Sequence, residues 1–298
     1  MEINKNHVEK LLTAFIMAMC SFFCLWCCKQ VRRIFIADTF IIPTRSMTPT
    51  LIPGDKIIVN KLLYGARIYR DFGFSKQGVR LQCTRLKGLR DIRRGDVVVF
   101  NMPYHKGCDT IKFVINYVYC KRCVALPGDS ISIVGGFYRN NNTVDTFGCV
   151  SLQRQLAQTP DSIIPADILT TIPYDRHMPQ WTIRNFGPLY IPRRGDIVAV
   201  TPATATLYRK LIEWETGKRI SIDWQHQRVN IGNRQLKWYA FSHDYYFMAG
   251  DNALDSRDSR YIGLIPDDYI IGVATTIYYS RDRGDNKMRW NRILKGIN

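Results

Sequence analysis

The sequence predicts a mostly β protein: an antiparallel β-sheet core carrying an inserted smaller β-rich domain, preceded by one N-terminal transmembrane helix. Three observations carry that prediction. Leu11 to Cys28 is an uncharged apolar run, too long for a strand. Beyond it, short stretches rich in Val, Ile, Phe and Tyr alternate with the turn triplets Pro53-Gly54-Asp55, Arg94-Gly95-Asp96 and Pro127-Gly128-Asp129. Helical periodicity is scarce, and Ala205 to Thr216 is the best candidate for a helix. At 298 residues and 46% hydrophobic, the chain can bury a sizeable core, which excludes wholesale disorder.

Each element follows in chain order. At 1.5 Å per residue, Leu11–Cys28 reaches about 27 Å, enough to cross the hydrocarbon of a bilayer. The run closes on Leu25-Trp26-Cys27-Cys28 and then Lys29, Arg32 and Arg33, without a small-x-small cleavage site. It therefore reads as an uncleaved anchor behind a short tail, residues 1–10. The basic flank after the helix argues for a body in the cytoplasm. Strands are expected at Ile34–Ile42, Lys56–Val59, Asp96–Phe100, Phe113–Leu126, Ser130–Val134, Tyr245–Ala249 and Ile270–Tyr279. Residues 29–134 and 245–298 form the core, and the polar, irregular residues 135–244 form the insert. Asp91 to Phe100 echoes Ile191 to Val200 around Arg-Arg-Gly-Asp, and this predicts two turns of one type leading into buried strands.

With 42 Lys/Arg against 25 Asp/Glu, the net charge is +17. Such a charge suits nucleic acid, an anionic membrane or acidic partners without choosing among them. Residues 29–100 hold 15 Lys/Arg and 5 Asp, and within them Gly65–Arg94 carries nine basic residues, a face expected against lipid headgroups. Nine cysteines, four of them in the anchor, give no disulfide framework. Cys120 and Cys123 form a C-x-x-C, but a strand would point them to opposite faces, so no zinc site is expected. The stretch Gly250–Pro266, dense in Asp, Ser and Arg, lacks the glycine at position six and the glutamate at twelve of a calcium loop.

Three segments could carry chemistry. Ser46 lies in a loop that three prolines, Pro43, Pro49 and Pro53, keep out of a helix and hold extended. A nucleophilic serine needs a base. The five histidines show no triad signature, and no G-x-S-x-G elbow is present. Lys121 interrupts the apolar strand Tyr117–Leu126 beside Arg122, and alternation turns one of these two cations inward, where desolvation converts a lysine into a usable base. The third segment, Gly250-Asp-Asn-Ala-Leu-Asp-Ser-Arg-Asp-Ser-Arg260, reads as a polar active-site loop.

Taken together these segments resemble type I signal peptidase, the membrane-anchored serine–lysine endopeptidase of bacteria. The resemblance rests on the anchor, the serine box Ser46-Met47-x-Pro49-Thr50-Leu51, the Arg94-Gly95-Asp96 strand, the lysine box Lys121–Asp129 and the Gly250-Asp251-Asn252 loop with Ser256, Asp258, Ser259 and Arg260. It implies Ser46 as nucleophile, Lys121 as general base, Thr44 as an oxyanion donor and Ser256 as the residue orienting the lysine. It further implies Asp258 and Arg260 as a structural ion pair, with Ile42, Pro43, Met47, Leu51, Tyr119 and Cys120 building shallow pockets for small residues. Neither metal nor cofactor is implied. The expected substrates are exported preproteins with small residues before the cleavage site, the other partner being membrane lipid rather than nucleic acid. The expected place is the bacterial cytoplasmic membrane, with the body on the extracytoplasmic side, against the flanking charges. Ala253, Ile262 and Arg45 stand where the family commonly has arginine, tryptophan and glycine. Three alternatives stay open: a self-cleaving repressor of the same clan, a maturation peptidase for conjugative pilins, and a non-catalytic membrane-tethered binding protein.

Overall fold

The computed structural model describes residues 5–70, 83–104, 109–141 and 147–297. Residues 1–4 of the expected tail and residues 71–82 of the basic stretch lie outside them. The apolar run is helical: α1 spans Lys5–Val31, three residues beyond the uncharged stretch, and one turn of π-helix follows over Arg32–Ile36. Across the two, Thr13–Ile36 is long and apolar enough to cross a membrane, and its apolar window is not buried in the protein. The strand expected from Ile34 therefore begins only at Ala37.

The body is built on an eight-stranded antiparallel sheet. Its strands lie in the order Ala37–Ile41, Asp55–Asn60, Ile270–Ser280, Val97–Asn101, Val118–Ala125, Tyr245–Ala249 and Ile265–Pro266, with Lys295–Gly296 paired to Ile270–Ser280. The mostly β class read from the sequence is the one observed. Both faces of the central strands are covered. Val97 and Val99 pack with Ile57, Val59, Met47 and Leu51 on one side, while Val98 and Phe100 join the main core on the other. That is the two-residue period of a strand buried twice over. The strand expected at Phe113–Leu126 is shorter, Val118–Ala125, because Asn101 takes the Val114 and Ile115 carbonyls and holds the preceding segment in a loop.

Four turns share one design. Gly54, Gly95, Gly128 and Gly195 have φ of 95°, 91°, 89° and 88°, a region where a side chain is strained. The aspartate after each glycine accepts from the backbone N–H three residues earlier: Asp55 from Ile52, Asp96 from Arg93, Asp129 from Leu126 and Asp196 from Arg193. The Arg-Arg-Gly-Asp echo is thus one turn used twice. Its second copy does not lead into a buried strand, because Ile197–Ala199 pairs only with Trp238–Ala240 and stays partly exposed.

Residues 135–244 hold helices α2 (Val150–Gln158), α3 (Ala166–Leu169) and α4 (Pro202–Thr216) with short sheets between them. α4 starts earlier than its apolar pattern. Pro202 suits the first turn, Thr201 and Thr204 cap it reciprocally, and Gly217 closes it in the left-handed region. Its Tyr208, Leu211 and Ile212 enter the same apolar cluster as Phe100 and Phe247 of the main sheet. A final short helix, α5 (Ser259–Ile262), follows the polar loop.

Candidate active site

Ser46 sits on the loop joining the first two strands of the sheet. The loop is not extended, contrary to what its prolines suggested: Thr48 N bonds Arg45 O and Leu51 N bonds Met47 O, coiling it into turns. The coil lets Met47 (1% exposed) and Leu51 (0%) plug the core beneath, so the serine is presented on a packed base. Two further ties fix it. Asp55 accepts from Arg292 Nε and Nη2 at 3.0 and 2.6 Å, and Arg292 also donates to Thr50 O at 2.9 Å. Ser46 O accepts from Asn252 N at 3.0 Å. No local pattern points to Arg292, which reaches Asp55 at the end of the loop from 237 residues away.

Lys121 comes from the strand Val118–Ala125, an interior strand with partners on both sides. Its Nζ lies 2.6 Å from Ser46 Oγ and donates to Cys120 O at 3.2 Å. Lysine and serine are 4% and 6% exposed. Burial, reinforced by the Arg260 charge, holds the amine below its ordinary 10.5; Asp258, Cys120 and Asp251 pull the other way without prevailing. Thr44 Oγ1 is 3.3 Å from Ser46 Oγ.

Alternation should have turned only one of the adjacent cations inward, yet both are buried. Arg122 forms a bidentate pair with Asp251 at 2.7 and 2.8 Å and donates to Gly95 O. A strand packed on both faces has two interiors, and the second cation is tolerated because a carboxylate meets it there. Asp251 was visible in the sequence, but no role fell to it.

The loop after Gly250 forms the floor. Asp258 and Arg260 pair bidentately at 2.8 and 2.6 Å with neither side chain exposed. Burial opposes the Asp258 charge, but Arg260, the Gly250 N–H and the Ser256 hydroxyl outweigh it and lower its pKa. Ser256 Oγ donates to Asp258 Oδ2 at 2.7 Å. It makes no hydrogen bond to Lys121, so the orienting bond expected of it is absent; the buried carboxylate has claimed its proton. Gly250 is required here by space alone, since a Cβ would stand 2.2 Å from Ser256 Oγ and 2.6 Å from Ser46 O.

These groups open into a chamber of about 500 Å³ that Ile42, Pro43, Met47, Tyr119 and Cys120 help to line, together with Thr44, Ser46, Lys121 and Ser256. Leu51, expected in the pockets, lies instead in the core below. Ala253 packs with Leu156, Ile164, Ile183 and Tyr261 in a small cluster, which explains how a short side chain serves there. Among the described residues, one group could offer metal ligands: His243, Asp267 and Asp268. None of the three lines this chamber, and Asp267 is already bonded to His243 Nδ1 and Arg194 Nη2.

Comparison with known proteins gives this chain its family. Residues 10–279 match the family described as signal peptidase, peptidase S26. The chain belongs to that family. Relatives agree along nearly the whole length. Signal peptidase I of Buchnera aphidicola subsp. Acyrthosiphon pisum is 28% identical over 310 residues, covering 98% of this chain and 87% of the relative. Signal peptidase I of Pseudomonas aeruginosa is 26% identical, covering 87% and 71%. That of Helicobacter pylori strain J99 is 27% identical, covering 88% and 86%.

Proposed function

We propose that this chain is a membrane-anchored serine endopeptidase that removes N-terminal signal peptides from exported preproteins, with Ser46 as nucleophile and Lys121 as general base. The observation that carries this reading is the 2.6 Å contact between two buried side chains, Ser46 Oγ and Lys121 Nζ. Neutral Lys121 takes the Ser46 proton as Oγ attacks the scissile carbonyl. The oxyanion that forms is met by the Ser46 N–H and the Thr44 hydroxyl. The ammonium of Lys121 then passes its proton to the departing amine, leaving an acyl ester on Ser46. Lys121, neutral again, takes a proton from water as the water oxygen attacks the ester, and returns it to Ser46 Oγ as the ester bond breaks and the signal peptide leaves with its new carboxylate.

The substrates in this reading carry small residues before the cut, because Met47, Tyr119 and Cys120 leave shallow apolar hollows. Asp258, Arg260 and Ser256 act as supports beneath the dyad, with residues 29–134 and 245–298 as the catalytic unit and 135–244 as its insert. The body faces away from the cytoplasm, where exported chains emerge, in the cytoplasmic membrane of a bacterium. The anchor holds enzyme and substrate in one bilayer and so raises their effective concentration. The test is cleavage of a model precursor by the detergent-solubilised full chain, with products weighed by mass spectrometry. A cut after small-x-small that Ser46→Ala abolishes supports the reading; an intact precursor, or a cut that survives Ser46→Ala, overturns it.

A further inference from the structure

The chamber around Ser46 continues into a second cleft of about 770 Å³ through shared walls at Ile42, Pro43, Val118, Tyr119 and Cys120. That cleft reaches Gln30, Arg33 and Ile34 at the foot of the anchor. At the other end, the chamber is walled by Asp167 and Ile168 of α3 and by Leu254, Asp255 and Arg257. A substrate whose own apolar segment sits in the bilayer enters from the anchor end. Whatever lies beyond Ser46 must therefore be the first residues of the mature chain.

Among the lining residues, Asp167 and Ile168 alone come from 135–244. Their hold on the chamber is specific. Arg257 donates to Asp167 O at 2.8 Å and to Asp167 Oδ2 at 2.6 Å. Tyr261 Oη donates to Ile168 O at 2.6 Å, and Ile172 N bonds Arg260 O at 3.0 Å. Arg257 also lies 4.9 Å over the Tyr261 ring. Every one of these partners belongs to the loop that carries Ser256 and Asp258 or to α5 directly after it, so the wall and the catalytic floor move as one piece. A four-residue helix has too little structure of its own to stay put without such ties.

We infer that α3 is the wall of the leaving side of the cleft, that Ile168 limits the size of the first residue of the mature protein, and that Arg257 is the positioning residue which keeps it there. The inference rests on the proposed peptidase reading and gives residues 135–244 a part in substrate choice. A side chain held in place, as Ile168 is, discriminates by volume, and losing it relaxes that discrimination by a factor on the order of ten or more.

The experiment uses the full chain in detergent and precursors identical except at the first mature residue, Ala or Trp, with a parallel pair varied before the cut, Ala or Leu. Wild type is expected to prefer Ala over Trp at the first mature position about tenfold or more. Ile168→Ala and Arg257→Ala should bring that ratio to within about threefold while leaving the ratio before the cut unchanged. Arg257→Lys, which keeps one donor, should fall between. A change in the ratio at one side only is not something a general loss of folding produces. A wild-type ratio near one, or variants that keep the full ratio, overturn the inference while cleavage itself, abolished by Ser46→Ala, still stands. Cleavage that is absent in wild type or survives Ser46→Ala overturns the peptidase reading beneath it instead.

Discussion

Residues near the dyad act through single atoms, so their effects can be stated separately. Thr44→Val deletes one hydroxyl beside Ser46 and should lower the rate on the order of 10² to 10³-fold with little change in KM, the usual effect of losing one oxyanion donor. Thr44→Ser should retain activity, and steady-state kinetics on a fluorogenic peptide checks both. Lys121 illustrates a conflict between function and stability. Its amine is buried against its preference for water, so Lys121→Met should abolish cleavage and yet raise stability by about 1 kcal/mol at neutral pH. The gain should shrink as pH rises towards 10.5, because the wild-type folded state is penalised only where the amine would otherwise be charged. Thermal unfolding of both proteins at pH 7 and pH 10 reads this; a lower Tm for Lys121→Met at pH 7 would contradict it.

Elements hold those residues in place through ties that local sequence does not announce. The serine loop depends on Arg292, near the C-terminus, whose guanidinium neutralises the fully buried Asp55. Arg292→Ala strands a carboxylate in the interior and should cost about 3 to 5 kcal/mol, with a drop in kcat, measured by denaturant unfolding alongside kinetics. Loss of less than about 1 kcal/mol would mean that water replaces the arginine. What was legible in the sequence follows the same division. Ser46, Lys121, Asp258 and Arg260 stood inside compact local patterns, as did the Gly-Asp turns and the anchor. Arg292, the Arg122–Asp251 pair and α3 at the chamber wall depend on contacts that span 237 residues (Arg292 to Asp55), 129 (Arg122 to Asp251) and 90 (Arg257 to Asp167). No spacing rule encodes those. The prolines misled for a related reason: they forbid a helix but leave open whether a loop extends or coils, and the core contacts of Met47 and Leu51 decided it.

The whole molecule carries its charge less freely than its composition implies. Within Gly65–Arg94, Arg67 is buried, Arg85 donates to the Gly65, Asp267 and Ile270 carbonyls, and Arg90 and Arg94 are paired with Asp96 and Asp129. Arg70, Lys87 and Arg93 remain exposed, alongside the exposed Leu62, Ile68, Leu86 and Leu89. Among the described residues, the face expected against lipid is therefore more apolar and less basic than its cation count suggested. Its orientation is a prediction at this scale: protease added outside intact spheroplasts should degrade the body, and full protection of residues 37–297 would place it in the cytoplasm.

One measurement reaches the central claim, that Lys121 serves Ser46 as a base because burial keeps it neutral. It is the pH profile of kcat/KM for precursor cleavage by the full chain, from pH 5 to pH 11. An ordinary lysine at 10.4 would be neutral in about one molecule in 2,500 at pH 7. Since the Lys121 amine is held below 10.5 by its burial, the rate should rise with pH and level off below that value. A rate that climbs tenfold per pH unit up to pH 10 without a break would show a fully charged lysine at neutral pH, and the dyad would have no base.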